Sequence, residues 1–187
     1  MSDKNESMGD LFPDLGPEAP VISGVAHDRS EALATVRGVP NEPGMAAKVF
    51  TELAMAGVNV DMIVQAGASV GTADISFTVP GSAAAKVREV LQEKQDELGY
   101  QSFDIDANVG KVAVVGVGMK THSGLAAKFF NALSDKGVNV LMISTSEIRI
   151  AALVPLEQLQ DAVRALHTAY GLDAEQVEAV VYGGTGR

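Results

Sequence analysis

One stretch of this chain is written twice. Residues 44–63 read GMAAKVFTELAMAGVNVDMI and residues 124–143 read GLAAKFFNALSDKGVNVLMI, 80 positions apart and identical at 12 of 20 places. Such a duplication constrains the fold strongly, because each copy is a supersecondary unit that must bury the same kind of face. In a chain of 187 residues, a unit of about 80 favours two small domains over one large core.

Both copies predict the same order of elements. Residues 21–26 and 32–39 are apolar and β-prone, and HDRSE at 27–31 predicts a hairpin turn between them. Asn41-Glu-Pro-Gly44 ends the strand and opens a helix with Ala46, Val49, Phe50, Leu53 and Ala54 on one face. Gly57 is placed to cap it. Strands follow at 58–65 and 73–79. A second helix runs from Pro80 to about Leu98 with Val87, Val90, Leu91 and Leu98 inward.

The second half repeats this pattern. Strands 103–109 and 111–117 pair around Gly110, a helix spans residues 124–136, and strands cover 138–144 and 147–154. A last helix after Pro155 buries Leu159, Ala162, Val163, Leu166 and Tyr170 and ends at Gly171. Residues 177–182 predict a closing strand without a counterpart in their own unit.

The expected fold class is therefore α+β, with two ferredoxin-like βαββαβ units, each an antiparallel sheet with two helices on one face. Residues 1–20 read as a disordered leader. The preferred division gives 21–98 plus 176–184 to the first domain and 99–175 to a second domain inserted in it. The simpler division closes the first unit with 103–109 and the second with 177–182.

A net charge of -10 and a pI near 4.6 exclude the basic surface that a phosphate backbone requires, so no nucleic-acid partner is expected. There is no Cys, hence no disulfide and no thiolate metal site, which fits a cytoplasmic protein. No apolar run is long enough to cross a bilayer as a helix. No phosphate-binding loop, dinucleotide fingerprint or nucleophile elbow occurs, and His27, His122 and His167 lack metal-ligand spacing. No catalytic residue, metal or cofactor is expected in this chain.

The loops before the two long helices are the candidate sites. Asn41 to Ala46 and Met119 to Ala126 each deliver a strand to a helix N-terminus through Gly44 or Gly124. Free N–H groups and the positive end of a helix dipole suit a carboxylate there. Asn59 and Asn139, at the starts of the following strands, can donate and accept. That combination suits a free α-amino acid; equally, both glycines could serve only tight turns and both asparagines only caps. Asp61 faces Leu141 across the repeat and Gln65 faces Thr145, which suggests a polar pocket in one copy, or else an outward charge on a half-exposed strand. Ser144-Thr-Ser-Glu147 is a second polar cluster.

Pro43-Gly44, the helix after it and Gly57-Val-Asn-Val-Asp-Met62 resemble the ACT domain, a small-molecule-binding βαββαβ module of amino-acid metabolism. In tandem, with Gly116-Val-Gly-Met-Lys120, Ile143-Ser-Thr-Ser-Glu-Ile-Arg-Ile150 and Ala165-Leu-His167, the chain resembles the regulatory half of bacterial aspartokinase over about residues 21–187. The Lys-Phe/Tyr-Gly-Gly-Thr/Ser motif of the kinase half does not occur, so the resemblance is to a separate β subunit or an excised regulatory fragment.

The resemblance implies a homodimer through ACT domains, a catalytic α subunit as partner, and ATP and magnesium on that subunit alone. It implies threonine and lysine as effectors that inhibit aspartate phosphorylation. A threonine-type site would use Asn41, Pro43, Gly44, Met45, Ala46, Asp61 and Gln65, closed by Asn139 and Val140 of a second chain. A lysine-type site would use Met119, Thr121, His122, Gly124, Ser144, Ser146 and Glu147, closed by Asn59 and Val60. Two alternatives stay open: a stand-alone amino-acid sensor for another biosynthetic enzyme, and a purely structural dimerisation module.

Overall fold

In a computed structural model that describes residues 21–119, 122 and 124–173, the two repeats share one antiparallel sheet. Strand β1 (Val21–Pro40) leads to helix α1 (Met45–Met55) and strands β2 (Ile63–Gly67) and β3 (Thr72–Pro80). A 3-10 turn, helix α2 (Ala84–Glu93) and the single-turn α3 (Gln95–Leu98) follow. Strand β4 (Ser102–Val117) opens the second repeat, which continues with α4 (Leu125–Asp135), β5 (Met142–Thr145), β6 (Arg149–Pro155) and α5 (Leu159–Ala169). The strand order is β2-β3-β1-β4-β6-β5, and every pairing is antiparallel.

Neither expected hairpin forms. Residues 27–31 continue β1, and Gly110 lies inside β4; the two long strands pair with each other from Val21 opposite Val117 to Arg37 opposite Ser102. The polar run HDRSE produces irregular register between Asp28, Glu31 and Leu33 rather than a turn. Asp28 accepts the Ser30 N–H at 2.7 Å, a local bond that distorts a strand without ending it. Gly110 serves packing: a Cβ there would meet Leu159 at 2.8 Å. As a result residues 21–28 pair with the half of β4 that belongs to the second repeat. The closing strand expected at 177–182, which separates the two expected domain divisions, lies outside the described residues, as does the leader at 1–20.

Three smaller differences are local. The strand expected from Val58 begins only at Ile63, although Asp61 N–H already donates to the Thr78 carbonyl at 3.0 Å. The helix after Pro80 is interrupted at Lys94, which leaves the helical region between α2 and α3. Ala54 is exposed, and Met45 joins Val49 and Leu53 on the buried face of α1 instead.

Each repeat has its own core between its helices and one sheet face. The first gathers Val49, Leu53, Ile75, Phe77, Val87 and Leu91, and the second Val112, Phe129, Leu133, Ala152, Leu159 and Leu166, all with 1% exposure or less. A third, smaller cluster of Leu33, Met62, Ala113, Met142, Ala151 and Leu153 lies on the helix-free face. The sheet curls about it so far that β2 and β5, at opposite ends of the strand order, approach one another.

Candidate functional site

Both long helices start at a left-handed glycine, with φ of 92° at Gly44 and 95° at Gly124. Space is not the reason, since a Cβ would meet nothing at either place; the backbone conformation is. No side chain caps either helix, so first-turn N–H groups are left for solvent or ligand.

A small cavity of 70 Å³ opens beside Gly44. It brings together Asn41, Gly44, Met45, Ala46 and Gln65 of the expected residues, and adds Glu42, Ala73 and Ile75. It is the smaller of the two cavities beside the glycine-led helices. A larger cavity of 470 Å³ opens beside Gly124, joining Met119, His122, Gly124, Ser146 and Glu147 and adding Ala126, Thr145 and Ile150. His122 Nδ1–H donates to the Gly118 carbonyl at 2.8 Å, which fixes the ring at the cavity wall.

The two cavities occupy matching places. Ala46 corresponds to Ala126, Gln65 to Thr145 and, after a shorter loop, Ile75 to Ile150. Ala126 and Thr145 lie in the stretches that the sequence singles out, without being assigned to a site there; the two isoleucines are additions of the structure, and the repeat spacing is the signal that could have found them.

Other expected residues stand apart. Pro43 and Asn59 are exposed, and Val60 packs on the edge of the first core. Asn139 and Val140 line neither cavity of a single chain, and Ser144 is half-buried on β5 outside the second one. Thr121 lies outside the described residues. Asn139 N–H donates to Gln158 Oε1 at 2.8 Å, and Gln158 Nε2 donates to the Gly137 carbonyl at 3.2 Å.

Asp61 does not line the first cavity. Its carboxylate is hydrogen-bonded to the ammonium of Lys111, which also lies 3.1 Å from Glu31 Oε1. Burial works against the Lys111 charge, but the Asp61 bond and the Glu31 carboxylate outweigh it and raise the ammonium above its ordinary range. Burial pushes the Glu31 carboxyl upwards, against the pull of Lys111. Among the described residues no group of three His, Asp or Glu could hold a metal ion, and no helix is long and apolar enough to cross a membrane.

The sequence model of the ACT domain matches residues 23–95 and 112–170, most of the chain. The chain belongs to the ACT-domain family. Its fold is that of two ACT domains in tandem, and its relatives are similar throughout their matched length. It is 48% identical over 176 residues to the aspartokinase of Corynebacterium glutamicum, covering 93% of this chain and 42% of that protein. It is 46% identical to the aspartokinase of Mycobacterium tuberculosis, with the same coverage. The ACT pair thus spans about two fifths of the length of the curated relatives it matches. Among solved structures, the regulatory subunit of aspartate kinase from Thermus thermophilus has a TM-score of 0.75 and 37% identity, covering 80% of this chain and 99% of that one. A structure of aspartokinase alpha and beta subunits has a TM-score of 0.75 and 43% identity at the same coverage.

Proposed function

We propose that this chain is the regulatory part of an aspartokinase and that amino acids bind at its two helix-mouth cavities. The observation that supports this most is the matched pair of cavities beside Gly44 and Gly124, each under an uncapped helix start, in a chain similar to aspartokinase regulatory subunits. In this reading the helix N–H groups take the effector carboxylate. Glu147, in the wall of the second cavity, supplies negative charge for its ammonium there, and Glu42 and Gln65 supply the polar acceptors of the first. Threonine suits the smaller first site and lysine the larger second one.

The first cavity is the smaller of the two and one chain alone does not close it, so a second surface completes it. Edge strands β2 and β5 expose Ile63, Val64 and Ile143, and pairing there with a second copy would bring Asn139 and Val140, or Asn59 and Val60, to the open sides. An effector held between two chains binds one dimer geometry better than another. That difference in affinity shifts a catalytic aspartokinase subunit, which carries the ATP and magnesium in the cytoplasm, towards its inactive state.

Calorimetry on the dimeric protein tests this reading. Gln65→Ala is expected to weaken threonine binding tenfold or more, about 1.4 kcal/mol, and Thr145→Ala, at the matching place of the second cavity, to change it less than threefold. Equal effects of the two would sink the asymmetry. Absence of binding of either amino acid at millimolar concentration would sink the proposal.

A further inference from the structure

The two helix mouths are not held alike. The hydroxyl of Tyr170, the residue that follows α5, donates to the carbonyl of Leu125 at 2.7 Å. Leu125 is the first residue of α4 and lines the 470 Å³ cavity. By the correspondence of Pro80 with Pro155, Gln95 stands at the matching place of the first repeat. It is exposed, and among the described residues no hydrogen bond joins it to the start of α1.

The phenol can only donate here, because a carbonyl has no proton to give. Burial raises its pKa from 10.0 to about 12, so it keeps that proton at neutral pH and well above it. The ring packs on the second core and has the Lys128 ammonium 5.1 Å from its centroid, so the hydroxyl is aimed by apolar contacts and by a cation over the ring. The bond falls on a peptide unit of the cavity wall. The Leu125 carbonyl and the Ala126 N–H belong to one amide, and Ala126, which also lines the cavity, is the second helical residue, whose N–H has no intrahelical acceptor. A hydrogen bond accepted at an amide oxygen draws electron density from the nitrogen and makes the N–H a stronger donor.

We infer that Tyr170 is a positioning residue of the second site: it fixes the first turn of α4 against the end of α5 and strengthens the Ala126 N–H as a donor to an effector carboxylate in the cavity beside Gly124. This rests on the proposal that this cavity binds an amino acid. The first mouth has no equivalent, so the two sites differ in how they hold a carboxylate and not only in size. Tyr170 also ties the site to the joint between the repeats, since α5 packs on β1 and β4.

The test is calorimetry with two probes, L-lysine and L-lysinamide, which has a neutral amide in place of the carboxylate. The proteins are the wild type, Tyr170→Phe and Tyr100→Phe, each checked for folding by urea denaturation. Both substitutions keep the ring and remove one hydroxyl. Tyr100→Phe takes away the comparable bond to the Leu91 carbonyl within α2, which lines neither cavity, and so matches the loss of stability without touching a helix mouth. Tyr170→Phe is expected to weaken lysine binding about three- to fivefold and lysinamide binding less than about twofold. Tyr100→Phe leaves both ligands at the wild-type affinity. Equal weakening of the two ligands in Tyr170→Phe, or an unchanged lysine affinity, would overturn the role of Tyr170 while the wild type still binds. Absence of lysine binding in the wild type would overturn the second site itself and this inference with it.

Discussion

The two repeats fill equivalent cores with opposite choices of side chain. In the first, Val49 of α1 faces the core with Phe77 of β3; at the matching places of the second stand Phe129 of α4 and Ala152 of β6. All four are fully buried. The large ring comes from the sheet in one copy and from the helix in the other, while the space between helix and sheet is filled in both. The backbone plan therefore fixes a volume to be occupied, and leaves open which element supplies it.

The same lesson holds for the turn after the first helix of each repeat. Gly57-Val-Asn59 and Gly137-Val-Asn139 are identical in sequence, yet they are secured differently. In the first repeat the buried Thr78 hydroxyl accepts the Met62 N–H at 3.0 Å. Leu153 stands at the matching place in the second, and Gln158 reaches back to Gly137 and Asn139 instead.

The largest effect that could break this comparison is in the cores. Phe77→Ala and Phe129→Ala are each expected to cost about 3–5 kcal/mol in urea denaturation. Adding Val49→Phe to Phe77→Ala transplants the second solution into the first repeat and should recover part of the loss. Failure to recover any would show that the two cores are not interchangeable in shape. A single unfolding transition is expected throughout, because β1 and β4 are common to both sheet halves; two separate transitions would contradict that coupling.

A smaller effect concerns the turns. Gln158→Ala removes two bonds from the second repeat and should cost about 1 kcal/mol, with faster hydrogen exchange at the Asn139 amide. Ala83, its counterpart in the first repeat, touches no equivalent bond, so Ala83→Gln is expected to be neutral. Comparable losses in both would mean the turns are secured alike after all.

The smallest effect is in alkali. Burial raises the Tyr170 phenol from 10.0 to about 12, and its hydroxyl donates to the Leu125 carbonyl at 2.7 Å. The unfolded phenol ionises first, so this contribution to stability is whole below pH 10 and declines as pH rises towards 12. Tyr170→Phe should flatten the fall in stability over that interval. In the first repeat the buried Tyr100 hydroxyl, bonded to the Leu91 carbonyl, is shifted in the same direction. Tyr100→Phe provides the matched control.

Much of this architecture is legible in the duplicated stretch alone. The helices, their glycine starts and the inward faces Val49/Leu53 and Phe129/Leu133 follow from periodicity, because helix burial repeats every three to four residues along the chain. Among the cavity residues, Asn41, Gly44, His122 and Gly124 follow from which loop meets which helix mouth, whereas Gln65 and Glu147 follow only from the family resemblance. HDRSE and Gly110 have the composition of turns, yet both lie within continuous strands. Turn composition is a local property, whereas continuity of β1 and β4 depends on each strand finding the other nearly 80 residues away.

What the sequence by itself determined is the unit and its duplication: an ACT fold used twice, with a glycine-led helix and a candidate site in each copy. The tertiary structure decided how the copies join. It ran two strands through both halves of one sheet, curled that sheet until Met62 and Met142 shared a core, and set Glu31 against Lys111 at the axis between them. Those contacts link residues that no local pattern pairs. The direction of Asp61 towards Lys111, rather than into the cavity beside Gly44, was fixed by the charge that the fold placed next to it.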